Sequence, residues 1–124
     1  MLEIRFHGAG GHGAVVASKF LAEAAARSGF QAQSFASYGA RRRGGKVESY
    51  VRISDEPVPL RCKMYTPDCL VLMEESFVND ENALDGIKEK GKILINTAKT
   101  EKDYASLHAY RVFTVDAYGI ANEK

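Results

Sequence analysis

The residues with the clearest chemical use stand near the start of the chain. The run Phe6-His7-Gly8-Ala9-Gly10-Gly11-His12-Gly13 carries a G-x-G-x-x-G spacing at Gly8, Gly10 and Gly13. In such a loop backbone N–H groups take up an anion, and the positive end of the following helix dipole faces it. On this pattern Gly8 permits the tight turn, Gly10 lets backbone approach a phosphate, and Gly13 lets helix and strand pack closely. Gly11 shares the loop. His12 lies inside it, where an imidazole can donate to a phosphate with a charge that depends on pH. The structural alternative is a tight strand-to-helix turn that holds no ligand.

A second chemical stretch is Ser37-Tyr38-Gly39-Ala40-Arg41-Arg42-Arg43-Gly44-Gly45-Lys46, a flexible loop rich in cations. An NAD-binding domain needs an Asp or Glu about 20 residues beyond the glycine loop to bind the ribose hydroxyls. Between Glu23 and Glu48 there is no acidic residue; Ser34 to Ser37 and the three arginines stand there instead. Guanidinium groups suit phosphate through charge-assisted, often bidentate hydrogen bonds. NAD is therefore disfavoured, and a phosphorylated ribose, as in coenzyme A or NADP, fits the charges better. The alternative for Arg41 to Arg43 is a solvated charge run or a patch that faces a partner.

The remaining reactive side chains form no constellation. His7, His12 and His108 lack metal-ligand spacing, so no metal site is expected and no catalytic residue is assigned. Cys62 and Cys69, with six residues between them, make neither an iron–sulfur nor a zinc pattern and have no neighbouring base. Two reduced thiols in a cytoplasmic protein is the reading. The six tyrosines share no helical or strand period and read as packing or interface residues.

The elements that must position these loops follow from apolar periodicity. Leu2, Ile4 and Phe6 alternate as a strand. Ala14 to Ser28 reads as a helix whose stripe of Val16, Phe20 and Ala24, flanked by Leu21 and Ala25, covers a sheet, with Lys19, Glu23 and Arg27 opposite and Gly29 as the C-terminal cap. A strand over Phe30 to Ala36 completes a βαβ-like beginning. Val47 to Ser54 is a strand in which Val47, Val51 and Ile53 alternate with Glu48, Tyr50 and Arg52. Asp55-Glu56-Pro57 turns the chain. Further strands are expected over Cys69 to Met73, Lys92 to Asn96 and Arg111 to Val115, with an amphipathic helix from Ser76 to Lys90 stopped by Gly91. Asp116 reads as the N-cap of a helix that starts at Ala117. Alternating strands and helices imply an α/β, Rossmann-like three-layer domain with a mainly parallel sheet and ligands at the carboxyl ends of strands.

The totals bound the function. One domain of 124 residues buries a single core, and 45% hydrophobic with 27% charged residues is ordinary globular composition. A formal net charge of +1 argues against general nucleic-acid binding. No apolar run approaches the roughly 18 residues that cross a bilayer, so no membrane contact is expected, and no signal peptide precedes Leu2. The chain stops where a helix has only begun, and residues 1–124 are expected to be a single domain incomplete at its C-terminal end.

Taken together these motifs resemble the gamma subunit, or gamma domain, of the 2-oxoacid:ferredoxin oxidoreductases that act on pyruvate, 2-oxoglutarate and 2-ketoisovalerate. The opening through Gly13 is similar to the family's I-x-G-x-G-G-Q-G. Ser37 to Gly45 is similar to its S-Y-G-P-E-x-R-G-G, and Val51-Arg52-Ile53-Ser54-Asp55-Glu56-Pro57-Val58 to its V-x-I-S-D-E-P-I. Weaker likeness continues through Pro67-Asp68 and Val115-Asp116-Ala117. Two departures stand out: His12 occupies the place of the usual Gln, and Ala40-Arg41 that of Pro-Glu, which makes the second loop more basic.

The resemblance implies CoA-dependent oxidative decarboxylation of a 2-oxoacid such as pyruvate, with ferredoxin as electron acceptor, in a cytoplasmic multisubunit complex of alpha, beta and delta-type partners. Thiamine diphosphate, Mg and iron–sulfur clusters belong to those partners, and the isolated chain is expected to be inactive. The gamma part is the one associated with coenzyme A. Its expected contacts here are Gly8, Gly10, Gly11, His12, Gly13, Tyr38, Gly39, Arg43 and Gly44. The alternatives are an NADP-type Rossmann oxidoreductase and a non-catalytic assembly subunit.

Overall fold

The structure is a computed structural model in which residues 1–9, 12–37, 46–57, 66–79, 81–107 and 109–122 are described. Strand β1 (Leu2–Ala9) leads to helix α1 (His12–Arg27), β2 (Gln31–Ser37) and β3 (Lys46–Ser54). Then come β4 (Cys69–Leu72), a 3₁₀ segment (Glu75–Asn79), α2 (Glu81–Leu84) and β5 (Lys92–Asn96). A second 3₁₀ segment (Glu101–Leu107), β6 (Arg111–Val115) and α3 (Ala117–Asn122) complete the order.

The six strands form one sheet in the order β2-β3-β1-β4-β5-β6. β1, β4, β5 and β6 pair in parallel, while β3 runs antiparallel to both of its neighbours. The α/β class and the mainly parallel sheet are as expected. The βαβ-like beginning is not: β3 inserts between β1 and β2, with Ile4 opposite Val51 and Phe6 opposite Ser49. β2 therefore lies two strand spacings from β1, about 9.5 Å rather than one spacing.

Alternation along the strands builds two cores. Ile4, Phe6 and Val51 face α1 through Ala14, with Cys69, Val71 and Met73 packed at the border. On the other face Leu70, Leu72, Ile93 and Ile95 meet Phe77, Val78, Ala83, Tyr104 and Leu107 from the segments between β4 and β6. Helical elements on both faces of the sheet make three layers.

Helix α1 turns a different side to the sheet than its apolar pattern predicts. Val16, Phe20 and Ala24 are exposed, Phe20 to 66%, while Ala14, Ser18 and Ala25 are buried. Small residues let the helix sit close to the sheet, and the Ser18 hydroxyl is satisfied by the Val15 carbonyl and by Ser49. Its C-terminus is as expected. Gly29 adopts a positive φ of 96°, its N–H donates to the Ala26 carbonyl, and the Phe30 N–H reaches Ala25. These two bonds form a Schellman cap.

The helix expected over Ser76 to Lys90 is broken into a 3₁₀ segment, one α turn and irregular chain. Gly86 and Lys90 both take positive φ. Arg5 completes the break by donating to the carbonyls of Ala83 and Asp85, acceptors that a continuing helix would use itself. The 3₁₀ segment at Glu101–Leu107, which buries Tyr104 and Leu107, has no counterpart in the sequence reading.

Candidate ligand-binding edge

β1 and β2 point the same way, and Ala9 at the end of β1 pairs with Lys46 at the start of β3. Ser37 at the end of β2 pairs with Glu48 one turn of the pleat further on. The carboxyl ends of β4, β5 and β6 lie at this edge too, since His7 registers with Leu72, Leu72 with Ile95, and Asn96 with Val115. The glycine stretch and the arginine stretch thus both interrupt the described chain at one edge of the sheet, from neighbouring strands. Helix α1 starts at this edge as well, with no acidic residue in its first turn to compete for an anion.

Of the nine contacts expected from sequence, Gly8, His12 and Gly13 fall within the described backbone. Gly10, Gly11, Tyr38, Gly39, Arg43 and Gly44, with Arg41 and Arg42, lie outside the described residues. The close approach of helix to strand falls at Gly8 rather than at Gly13. Gly8 is still inside β1, paired with Val47, and a Cβ there would stand 2.9 Å from the Ala14 Cβ. It is the close-packing glycine. A Cβ on exposed Gly13 would meet Met73 Cε at an ordinary 3.7 Å, so no tight contact among the described residues requires a glycine there.

Behind this edge the second face of β1 and β3 is polar and buried, contrary to the apolar-in, polar-out alternation expected of β3. Arg5, His7, Glu48 and Arg52 are each under a tenth exposed, and Tyr50 is fully buried. Arg5 Nε donates to His7 Nε2 at 2.9 Å, which leaves the imidazole proton on Nδ1 and gives His7 a structural place. The Tyr50 hydroxyl donates to the Glu48 carboxylate, and Arg52 Nε to Glu3 Oε2 at 2.8 Å. Phe35 stacks on Tyr50 at 4.9 Å with the Arg52 guanidinium 5.4 Å from its ring centre. Buried charges persist only when paired in this way.

On the β4–β6 half of the edge a cluster that sequence reasoning missed ties the strand exits together. Asn96 Nδ2 donates to the Met73 carbonyl at 3.0 Å and its Oδ1 accepts from the Ala117 N–H at 2.9 Å. Asp116 caps α3 as expected, its Oδ1 accepting from the Gly119 N–H. Thr97 Oγ1 donates to Glu75 Oε2 at 3.0 Å, and the Tyr104 hydroxyl lies 2.9 Å from the same oxygen. Those hydrogen bonds, Tyr104 first and then Thr97, with the nearby charge of Lys99, hold the Glu75 carboxyl below its usual range. Burial pushes the Tyr104 phenol up. The only sequence signal for this group is that each residue follows a strand or sits in the next turn.

Two features argue against chemistry elsewhere. Burial, opposed by Lys92, raises the Cys69 thiol above its ordinary range, which keeps it neutral. A cavity of about 680 Å³ lined by Met1, Leu2, Leu21, Phe30 and Ile53 lies at the opposite edge, where β1 begins. Its lining is mostly apolar and includes the carboxylates of Asp55 and Glu56. No helix among the described residues is long and apolar enough to cross a membrane.

Comparison with known proteins agrees with this architecture. The family model for pyruvate ferredoxin/flavodoxin oxidoreductase matches residues 3–124. The chain is 41% identical over 121 residues to the pyruvate synthase subunit PorC of Methanocaldococcus jannaschii, covering 98% of this chain and 66% of that protein. With the corresponding subunit of Methanothermobacter marburgensis the identity is 45% over 123 residues, 99% of this chain and 67% of the relative. The crystal structure of the pyruvate oxidoreductase subunit PORC of Thermotoga maritima superposes with a TM-score of 0.78 at 35% identity, covering 98% of this chain and 65% of that one. The chain thus spans about two thirds of the length of the relatives it matches. It belongs to the pyruvate ferredoxin/flavodoxin oxidoreductase family.

Proposed function

We propose that this chain is the gamma part of a 2-oxoacid:ferredoxin oxidoreductase and holds coenzyme A at the carboxyl edge of its sheet. The observation that carries the reading is the convergence, on one edge, of the strand ends that flank the glycine stretch and the arginine stretch. The start of α1, with no acidic residue in its first turn, lies beside them. N–H groups of residues 8–13 bind CoA phosphates, Arg43 with Arg41 or Arg42 neutralises them, and Tyr38 and Gly39 shape the pocket. The thiol is thereby presented to the neighbouring chain on which decarboxylation takes place, which is catalysis by positioning. Thiamine diphosphate with Mg and the iron–sulfur clusters, carried by alpha, beta and delta-type partners, supply decarboxylation and electron transfer to ferredoxin. The complex is cytoplasmic in this reading.

An NADP-type dinucleotide site loses its geometry here. Such a site needs β2 directly beside β1, so that the end of β2 reaches the ribose; the inserted β3 moves it one strand further away. The test is kinetic. Arg43→Ala in the intact complex removes a charge-assisted hydrogen bond worth about 1.5–3 kcal/mol, so the Michaelis constant for CoA rises roughly 10- to 100-fold. Decarboxylation of the oxoacid is little changed. Equal loss of both activities would sink the proposal.

A further inference from the structure

A cleft of about 280 Å³ lies between the first two turns of α1 and the outer strand β2, with β3 beneath it. Val15, Ser18 and Lys19 line it from the helix, Ser34, Phe35 and Ala36 from β2, and Ser49 from β3. Packed interiors leave few voids larger than one water, whose share of the liquid is about 30 Å³. Whole small-molecule sites run from about 300 Å³ upward. This cleft therefore suits one fragment of a larger ligand, the size of a single heterocyclic base.

Its hydrogen-bonding character is divided. Ser18 and Ser49, the floor, are fully buried. Ser18 Oγ gives its one proton to the Val15 carbonyl at 2.8 Å. In the 2.5 Å contact between the two hydroxyls Ser49 must then donate, the Phe35 carbonyl being a more distant acceptor at 3.3 Å. Both protons are spent, and the floor offers only oxygen lone pairs. The rim is the opposite: among the described residues neither the Ser34 hydroxyl nor the Lys19 ammonium has a hydrogen-bonding or ionic partner, so both are donors to a ligand. Val15 and Ala36 supply apolar walls. A planar base with an amine at one edge and acceptor nitrogens beside it meets these demands, whereas a carboxylate or phosphate would face the lone pairs of the floor. The place agrees with the chemistry. Ser18 is five residues from Gly13, about 7.5 Å of helix rise, and Ala36 is one residue from the end of β2, beyond which the arginine stretch begins. The adenosine of coenzyme A carries phosphate on both the 3′ and the 5′ oxygen of its ribose, so its base belongs beside two anion-binding stretches at once.

We infer that this cleft holds the adenine of coenzyme A, its exocyclic amine donating to the Ser18–Ser49 floor and its ring nitrogens accepting from Ser34 and Lys19. The inference rests on the reading of the carboxyl edge as the coenzyme A site. The test uses the 8-azidoadenine form of desulfo-coenzyme A, which carries no thiol to reduce the azide. It is irradiated with the intact anaerobic complex, and the labelled peptides are mapped by mass spectrometry. Label on residues 14–19 or 32–36, abolished by excess coenzyme A, is expected. Label elsewhere on this chain would overturn the adenine placement while leaving the coenzyme A reading intact. No label, or label confined to other chains, would overturn both. Ser34→Leu fills the cleft from the outer strand without entering its floor. The Michaelis constant for coenzyme A then rises about tenfold or more as the base loses its seat and its hydrogen bonds, while that for pantetheine, which has no base, stays within about twofold. Equal shifts for the two, or none for either, contradict the placement.

Discussion

Gly8→Ala is the substitution for which the strand-to-helix junction makes the sharpest demand. The added Cβ stands 2.9 Å from the Cβ of Ala14, a residue only 2% exposed. Carbon atoms prefer about 3.5–4.0 Å, so β1 and α1 must part by the better part of an ångström or the backbone must shift. Gly8 shows no positive φ, so the cost is overpacking alone, about 1–3 kcal/mol. With a urea m-value of about 1.5 kcal/mol/M, a loss of 2 kcal/mol lowers the unfolding midpoint by about 1.3 M at unchanged slope. Ala14→Gly supplies an internal control. Alone it loses about 1 kcal/mol in helix propensity and about 0.8 in methyl burial, but beside Gly8→Ala it relieves the clash. The double variant is therefore at least about 1 kcal/mol more stable than the two losses sum to. Among the described residues Gly13→Ala meets only Met73 at contact distance, and it leaves the midpoint level or slightly raised. An unchanged midpoint for Gly8→Ala, or a larger loss for Gly13→Ala, would refute the packing role assigned to Gly8.

Arg5→Met deprives His7 Nε2 and the carbonyls of Ala83 and Asp85 of a donor, and thermal or urea unfolding should show a loss of about 2–4 kcal/mol. Asp68 accepts from both the Glu3 N–H and Lys88 Nζ, so Asp68→Ala costs more than Lys88→Met. The exposed ion pair alone is worth roughly 0–1 kcal/mol, and equal losses would show that the backbone bond contributes nothing. Tyr104→Phe removes the largest cause of the lowered Glu75 carboxyl. A depressed carboxyl stabilises the fold above its ordinary pKa and loses that effect as pH falls through the depressed value. The gap between wild type and variant should therefore be widest near neutrality and close on acidification, and a gap independent of pH would contradict this.

Much of the fold was legible because its signals are local. The apolar runs at β4, β5 and β6, the Gly29 cap and the Asp116 cap each follow from a few adjacent residues. What failed depends on neighbours distant in sequence. Alternation in β3 states that two faces exist, but not that both are buried, nor that β3 pairs with β1 ahead of β2. The orientation of α1 was misread because its buried side is built of Ala14, Ser18 and Ala25, whose small size outweighs their weak hydrophobicity. The large residues Val16 and Phe20 were left outside. The Ser76 to Lys90 segment has a fair amphipathic pattern, yet Arg5, some eighty residues away, takes its carbonyls. Of the candidate site, the sequence supplied the loops. Their meeting at one edge follows from the strand order, which no local pattern encodes, and so does the Glu75–Thr97–Tyr104 cluster.

The most direct measurement is backbone hydrogen exchange on the intact complex, anaerobic, with and without coenzyme A. Slower exchange in peptides spanning residues 8–13 and 37–46, with β6 unchanged, is the predicted result. Protection confined to other chains, with both stretches exchanging as before, would contradict the placing of coenzyme A at this edge.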